Sequence, residues 1–312
     1  MPQPTPQPTT VPKTGTIDKT VVITGGNDGI GYATSLALAR LGWRVVIVTR
    51  SRDRAEAAIE RLKAESGNPR VEYVLADLSR QVALREASDE IHRRLDRLDV
   101  LINNAGGTFS QFETTEDGIE RTIALNHIAY FLLTGLLLDL LRKAPAARII
   151  NVSSASHLDP RAVDLDSYTK DKGHFVLSAY GQSKLANVLF TVELAERLKG
   201  TGITVNAVHP GTINTAIGTK QAMSPFHAFA WKLATRVRSK PLEEGARTSV
   251  YLATSDEVHG VTGKYWACMS RIFNLRYPVP RVEKTHRDAS DAALRAKLWT
   301  LSEQLAHFSY GI

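Results

Sequence analysis

Lys19-Thr-Val-Val-Ile-Thr24, Gly25-Gly-Asn-Asp-Gly-Ile-Gly31 and Tyr32-Ala-Thr-Ser-Leu-Ala-Leu-Ala-Arg-Leu41 read in succession as strand, tight turn and helix. The first run is short, apolar and β-branched, the pattern of a strand buried on both faces. The third is helical and is stopped by Gly42. A glycine-rich turn between a strand and a helix lets the backbone approach a pyrophosphate closely. The helix N-terminus adds free N–H groups and a favourable dipole. Gly25, Asn27, Gly29, Ile30 and Gly31 are therefore candidate nucleotide contacts. Asp28 sits awkwardly beside a phosphate unless its carboxylate turns outward to cap backbone amides.

The same alternation continues outward from this unit. Strands are expected at 44–49, 71–75, 99–103, 147–152, 203–208 and 264–266. Helices are expected at 53–64, 82–95, 119–141, 179–199, 222–238, 241–253 and 289–306. Strands separated by helices imply right-handed βαβ crossovers and a parallel sheet covered on both faces. The expected fold is α/β: a Rossmann-type, doubly wound sheet of about seven parallel strands, in a single domain over 17–312. The Pro-, Gln- and Thr-rich stretch 1–16 has no apolar core and no Arg-rich amphipathic character, so it reads as a disordered leader.

Composition narrows the functional classes. The 312 residues are 43% apolar and 23% charged, ordinary for a globular chain. The net charge of +7 comes from scattered basic residues, and no nucleic-acid motif is present. A single cysteine, Cys268, rules out an intrachain disulfide and reads as a packing residue. His127, His157 and His209 form no recognisable metal-ligand set. The most apolar run, 131–141, is interrupted by Asp139 and is too short to span a bilayer. A cytoplasmic location is the expectation, with peripheral membrane contact left open. The basic stretch from Arg271 to Arg287 has no evident role.

Cofactor choice turns on the end of the second strand, where an acid would bond a ribose 2′-OH and a base would suit a 2′-phosphate. The sequence there is Thr49-Arg50-Ser51-Arg52, with no acid until Asp53. Arg50, backed by Arg52, favours NADP(H) over the alternative, NAD(H). Further on, Tyr180-Gly-Gln-Ser-Lys184 places a phenol and an ammonium one helical turn apart on one face. A neighbouring positive charge lowers a phenol's pKa, which would make Tyr180 an acid/base group near neutral pH.

These features together resemble the short-chain dehydrogenase/reductase family over roughly residues 19–268. The residues that carry the resemblance are the 24–31 loop, Asp77-Leu78, Asn103-Asn104-Ala105-Gly106, Asn126, Asn151-Val-Ser-Ser154, Tyr180-x-x-x-Lys184 and Pro210-Gly211-Thr212 leading to Thr215. The run around Asn126, the Ser183–Phe190 stretch, His209-Pro-Gly211 and Glu243-Glu-Gly-Ala246 are similar to the retinol-dehydrogenase-type subgroup. Gly26 and Asp28 depart from the usual glycine loop.

The resemblance implies an oxidoreductase that moves a hydride between a nicotinamide and an alcohol or carbonyl. It assigns Tyr180 as proton-transfer group and has Lys184 lower the Tyr180 pKa and bond the nicotinamide ribose. Ser154, rather than the adjacent Ser153, would orient the substrate oxygen, and Asn126 would hold a relay water. It also implies that Asp77, Leu78, Asn104, Ala105, Gly106, Pro210, Gly211, Thr212 and Thr215 contact the cofactor. A lid at about 215–240, with Met223, Phe226, Phe229 and Trp231, would suit a lipophilic substrate. Pairing through the helices at 119–141 and 179–199, into a homodimer or homotetramer, is also expected. Two other readings compete. A catalytically silent NADP(H)-binding sensor would not need the intact Asn–Ser–Tyr–Lys set. A sugar-nucleotide epimerase would carry a differently spaced glycine loop and a larger C-terminal domain.

Overall fold

A computed structural model describes residues 18–173, 175–211, 242–269 and 276–312. The strands among the described residues form one eight-stranded sheet in the order β3-β2-β1-β4-β5-β6-β7-β8. The strands are β1 (Thr20–Thr24), β2 (Arg44–Thr49), β3 (Val71–Leu75), β4 (Val100–Asn103), β5 (Arg148–Val152), β6 (Thr204–His209), β7 (Tyr265–Met269) and β8 (Arg276–Val282). The first seven run parallel. Ile23 pairs with Ile47 on one side and Ile102 on the other, which fixes β1 between β2 and β4. Strand order reverses at β1/β4, so the crevice beyond their C-terminal ends is where an open α/β sheet binds ligands.

The eighth strand lies outside the sequence expectation. It runs antiparallel to β7 and carries Pro278 and Pro280. Proline donates no hydrogen bond and belongs at a sheet edge, so a segment with two of them does not read as a strand from pattern alone. Part of the unexplained basic stretch is thus an edge strand, in which Arg281 pairs with Glu283 at 3.6 Å.

Helices cover both faces: α1 (Gly29–Arg40), α2 (Arg52–Ser66), α3 (Gln81–Arg94), α4 (Arg121–Ile123), α5 (Ala129–Leu136), α6 (Leu138–Arg142), α7 (Val176–Arg197), α8 (Leu242–Thr254) and α9 (Ala292–Ala306). Successive residues of β1 point to opposite layers. Val21 and Ile23 join the core beneath α1 and α2, while Val22 joins the core beneath α5 and α7. The single long helix expected at 119–141 is divided. Glu120 caps α4 by accepting N–H bonds from Thr122 and Ile123, and a π-helical turn (Ala124–Ile128) leads into α5. Such a turn inserts one residue into the helical register and is commonly found at functional positions.

The C-terminal segment closes over α5 and α7. Trp299 of α9 is 3% exposed and packs among Phe131, Phe190 and Tyr310, with ring centroids 5.1, 6.1 and 4.7 Å away. Arg295 reaches Glu193 at 3.3 Å, and the Tyr310 hydroxyl donates to the Phe131 carbonyl at 2.6 Å. The C-terminal segment therefore packs on the two helices through which pairing is expected. The leader at 1–16, the lid at 215–240 and the helix at 222–238 lie outside the described residues.

Candidate active site

The phosphate turn is built from close backbone approaches. Gly25 has φ +66°, and a Cβ on Gly31 would lie 2.1 Å from the Gly25 carbonyl oxygen and 2.6 Å from Asn104 Nδ2. Thr24 Oγ1 accepts from the backbone N–H of Asn104 at 2.8 Å and of Ala105 at 3.0 Å. Asn104 Nδ2 donates back to the Thr24 carbonyl at 2.9 Å. The turns after β1 and β4 thus brace one another, and the Tyr130 hydroxyl holds the second by donating to Ala105 O at 2.8 Å. The exposed Asp28 carboxylate accepts from Gly29 N at 2.7 Å, and the residue still lines the cleft rather than turning away from it.

One cleft of about 650 Å³ runs from this turn to Tyr180. Gly25, Asn27, Gly29, Ile30, Gly31, Arg50, Asp77, Leu78, Asn104, Ala105, Gly106, Tyr180, Lys184 and Pro210 all line it. Gly211 is outside the lining, and Thr212 and Thr215 lie outside the described residues. Arg52, the expected backup to Arg50, turns away: it bonds the Tyr73 hydroxyl at 3.1 Å and sits 3.8 Å from Glu56. Arg54, one helical turn beyond Arg50, lines the cleft in its place. The helix start at Arg52, one residue earlier than the periodicity suggested, sets which arginine faces inward. Asp77 uses one carboxylate oxygen to accept from the Ser79 N–H and hydroxyl, at 3.0 and 2.7 Å. Arg54, Leu125 and Arg121 line the cleft without having been singled out from the sequence, and Tyr130 supports it from behind; Arg121 stacks on Phe109 at 4.3 Å.

At the other end, α7 carries Tyr180 and Lys184. Lys184 Nζ donates to Val152 O at 3.0 Å and lies 5.6 Å from the ring centroids of both Tyr180 and Tyr130. Ser154, whose Oγ accepts from Ser156 N at 3.2 Å, is the side chain that counters the effect of burial on Tyr180. Ser153 lines the cleft and donates to Lys184 O at 2.8 Å, whereas Ser154 lies outside the lining. The expectation that the Lys184 charge pulls the phenol down is replaced by a different balance. Burial pushes Tyr180 above its ordinary 10, Ser154 opposes this, and burial lowers Lys184 to about 7. Tyr180 is therefore a protonated acid at neutral pH.

Asn126 is fully buried in the π-turn and does not line the cleft. Its Oδ1 accepts from Gly107 N at 2.8 Å, and its Nδ2 donates to Gly107 O at 3.0 Å and Ser183 Oγ at 2.9 Å. Both amide hydrogens tie the β4 turn to α7, so the side chain braces these two elements against each other. A Cβ on Gly106 would lie 3.2 Å from Asn126 Oδ1 and 3.4 Å from Lys184 Nζ, which places both groups directly beneath that turn.

A sequence model of the short chain dehydrogenase family matches residues 19–224. The chain belongs to the short-chain dehydrogenase family. Retinol dehydrogenase 13 of Mus musculus is 38% identical over 289 residues, covering 92% of this chain and 83% of that protein. Polyprenol dehydrogenase of Homo sapiens is 37% identical over 262 residues, covering 80% and 76%. A crystal structure of an uncharacterised Mycobacterium paratuberculosis protein superposes with TM-score 0.74 at 32% identity, covering 94% of this chain and 95% of that one. This short-chain dehydrogenase also keeps a neutral buried imidazole beside its site: burial lowers His127 to about 4.

An imidazole depressed from about 6.5 binds its proton more readily in the unfolded chain, so stability is lost as pH falls through 6.5 and levels off near 4. The full effect is about 3 kcal/mol. Urea denaturation of wild type between pH 7 and 4 should show this loss, reduced by that amount in His127→Phe. An identical pH dependence in the two proteins would exclude His127 as its source.

Proposed function

We propose that the protein is an NADP(H)-dependent oxidoreductase acting on a lipophilic alcohol or carbonyl, with Tyr180 exchanging the proton of the substrate oxygen. The observation that carries this reading is that Tyr180 and the buried Lys184 lie together at the end of a cleft that starts in a glycine cradle. The residues fit the cofactor: the Gly31–Gly25 approach leaves backbone where a Cβ would intrude, and Arg50 and Arg54 face the cleft without an ion-pair partner among the described residues. When bound, the nicotinamide supplies the hydride acceptor or donor. Gly25, Asn27, Gly29, Ile30 and Gly31 would hold the pyrophosphate, and Arg50 with Arg54 the 2′-phosphate. Asp77 and Leu78 would contact the adenine. Asn104, Ala105, Gly106 and Lys184 would contact the ribose, and Pro210, Gly211, Thr212 and Thr215 the nicotinamide end.

In this reading the Tyr180 hydroxyl gives its proton to the carbonyl oxygen during reduction, and the phenolate takes it back in oxidation. Ser154 orients that oxygen and bonds the phenolate. Lys184, able to gain a proton near neutral pH, offsets the charge left on Tyr180. The relatives named for retinol and polyprenol support an apolar alcohol as substrate, as do Met223, Phe226, Phe229 and Trp231 in the segment after β6.

Consumption of NADPH absorbance with a panel of lipophilic aldehydes and ketones tests the reaction. No turnover with any of them would support the silent sensor instead. Removing a charge-assisted phosphate contact costs about 1.5–3 kcal/mol, so Arg50→Ala should weaken NADPH binding by at least about tenfold and leave NADH unchanged. Arg54→Ala should act in the same direction. Equal losses for both cofactors would sink the NADP assignment. Because α9 packs on the helices through which pairing is expected, light scattering should report a monomer; a dimer that persists on dilution would show that another surface pairs.

A further inference from the structure

The π-turn that holds Asn126 is tied to two other elements by a buried polar chain. Asn187, one turn beyond Lys184 on α7, donates from Nδ2 to the Asn126 carbonyl at 2.8 Å. Its Oδ1 lies 3.3 Å from His127 Nδ1, and His127 Nε2 lies 2.9 Å from Ser302 Oγ on α9. Ser302 Oγ is also 2.8 Å from Leu298 O. Asn126, His127 and Asn187 are 0% exposed and Ser302 is 1%. The imidazole is held edge-on by Tyr168 at 6.2 Å and Phe190 at 6.0 Å.

Counting protons fixes the roles. A backbone carbonyl only accepts, so the Asn187 amide must turn its NH2 towards Asn126 and its oxygen towards His127. That oxygen needs a donor, which makes Nδ1 the protonated ring nitrogen. Nε2 must then accept, and only the Ser302 hydroxyl is there to donate to it. The remaining contact, Ser302 to Leu298 O, is the one relinquished, because that carbonyl is already within the hydrogen-bonding pattern of α9. A neutral imidazole with its proton on Nδ1 therefore satisfies every group that has no other partner.

We infer that His127 is a positioning residue: as the Nδ1–H tautomer it orients the Asn187 amide, which holds the Asn126 carbonyl and so sets the π-turn that braces Gly107 and α7 around Lys184. Ser302 fixes the tautomer from α9, so the C-terminal helix contributes to the geometry of a site it does not touch. This inference rests on the hydride-transfer reading for its kinetic consequence but not for its structural one.

Two measurements test it. In ¹⁵N NMR of histidine-labelled protein at neutral pH, the His127 ring is assigned through its contacts with the Tyr168 and Phe190 rings. It should carry its proton on Nδ1; a proton on Nε2 overturns the inference whether or not the protein turns over any substrate. In kinetics, asparagine can present its amide N–H near the Nδ1 position and glutamine near Nε2. His127→Asn should keep kcat within about threefold of wild type. His127→Gln should lose about tenfold, the size of one misplaced hydrogen bond, with the NADPH Kd of both unchanged. Ser302→Ala should fall between them. Equal kcat values for the Asn and Gln variants, or losses that merely follow Tm, also overturn it. A wild type that reduces no carbonyl would defeat the proposed function alone, and the tautomer would still decide this inference. If both His127 variants fail to fold, the wild-type spectrum decides it.

Discussion

Tyr180→Phe should lose about 10²–10⁴ in kcat, the range expected when a positioned acid/base group is removed. That corresponds to about 3–5 kcal/mol of transition-state stabilisation. The substitution is a clean one here. A phenylalanine ring keeps the wall of the cleft and the face presented to Lys184 Nζ at 5.6 Å, and gives up only the hydroxyl. No element packs against that hydroxyl alone, so Tm and NADPH affinity should remain within error of wild type. Steady-state NADPH oxidation, thermal unfolding and a fluorescence titration of NADPH check the three parts separately. A variant that turns over within about threefold of wild type would remove Tyr180 from the chemistry, since a lost general acid costs at least about a hundredfold.

Gly31→Ala should weaken cofactor binding by up to about a hundredfold while leaving the sheet folded. The added Cβ would stand 2.1 Å from the Gly25 carbonyl oxygen. That atom is backbone, in a residue whose φ is +66° and whose N–H is held by Val48 O at 2.8 Å, so it cannot swing aside as a side-chain end would. The turn must open, breaking the Asn104 contact to Thr24 and with it the link between the β1 and β4 turns. Overpacking of this kind costs about 1–3 kcal/mol, which lowers Tm by a few degrees. The same energy expressed in the cradle would raise the NADPH Kd by up to about a hundredfold. Gly67→Ala is the control: it has φ +69° with no atom within 4 Å of the new Cβ, so it strains the end of α2 without touching the cleft. NADPH affinity in Gly31→Ala equal to that of Gly67→Ala would refute the cradle.

Much of this site was legible because its residues sit where strands end. Gly25 to Gly31, Asp77, Asn104, Ser154 and Tyr180 follow a strand or open a helix, and hydrophobic periodicity marks those boundaries. What stayed hidden depends on direction rather than position. Arg50 and Arg52 look interchangeable in a linear reading. Only the start of α2 at Arg52 sends that side chain to Tyr73 and brings Arg54 round to the cleft. The π-turn was hidden for a similar reason: residues 119–141 carry an unbroken helical pattern, and the inserted register is stabilised by Gly107, Ser183 and Asn187, all distant in sequence. The Tyr180 shift runs opposite to expectation because adjacency on one helix face suggests charge coupling with Lys184. Burial of both groups dominates instead, and burial is a property of the assembled layers.

The two rims of the sheet carry a further consequence. An open sheet offers unpaired backbone groups at each end, which can recruit strands from other molecules. At one rim, Glu72 of β3 is bridged by Arg44 at 2.7 Å and Arg94 at 3.4 Å, placing desolvation-averse charge along the margin. At the other, Pro278 and Pro280 remove two donors from β8, and Arg247 occupies the carbonyls of Tyr277 and Pro278. Neither margin is a good template for addition of a foreign strand. Replacing both prolines with valine would restore the missing donors beside Val279 and Val282, already about half exposed at 47% and 48%, and would turn a guarded margin into a nucleus for fibril growth at high concentration.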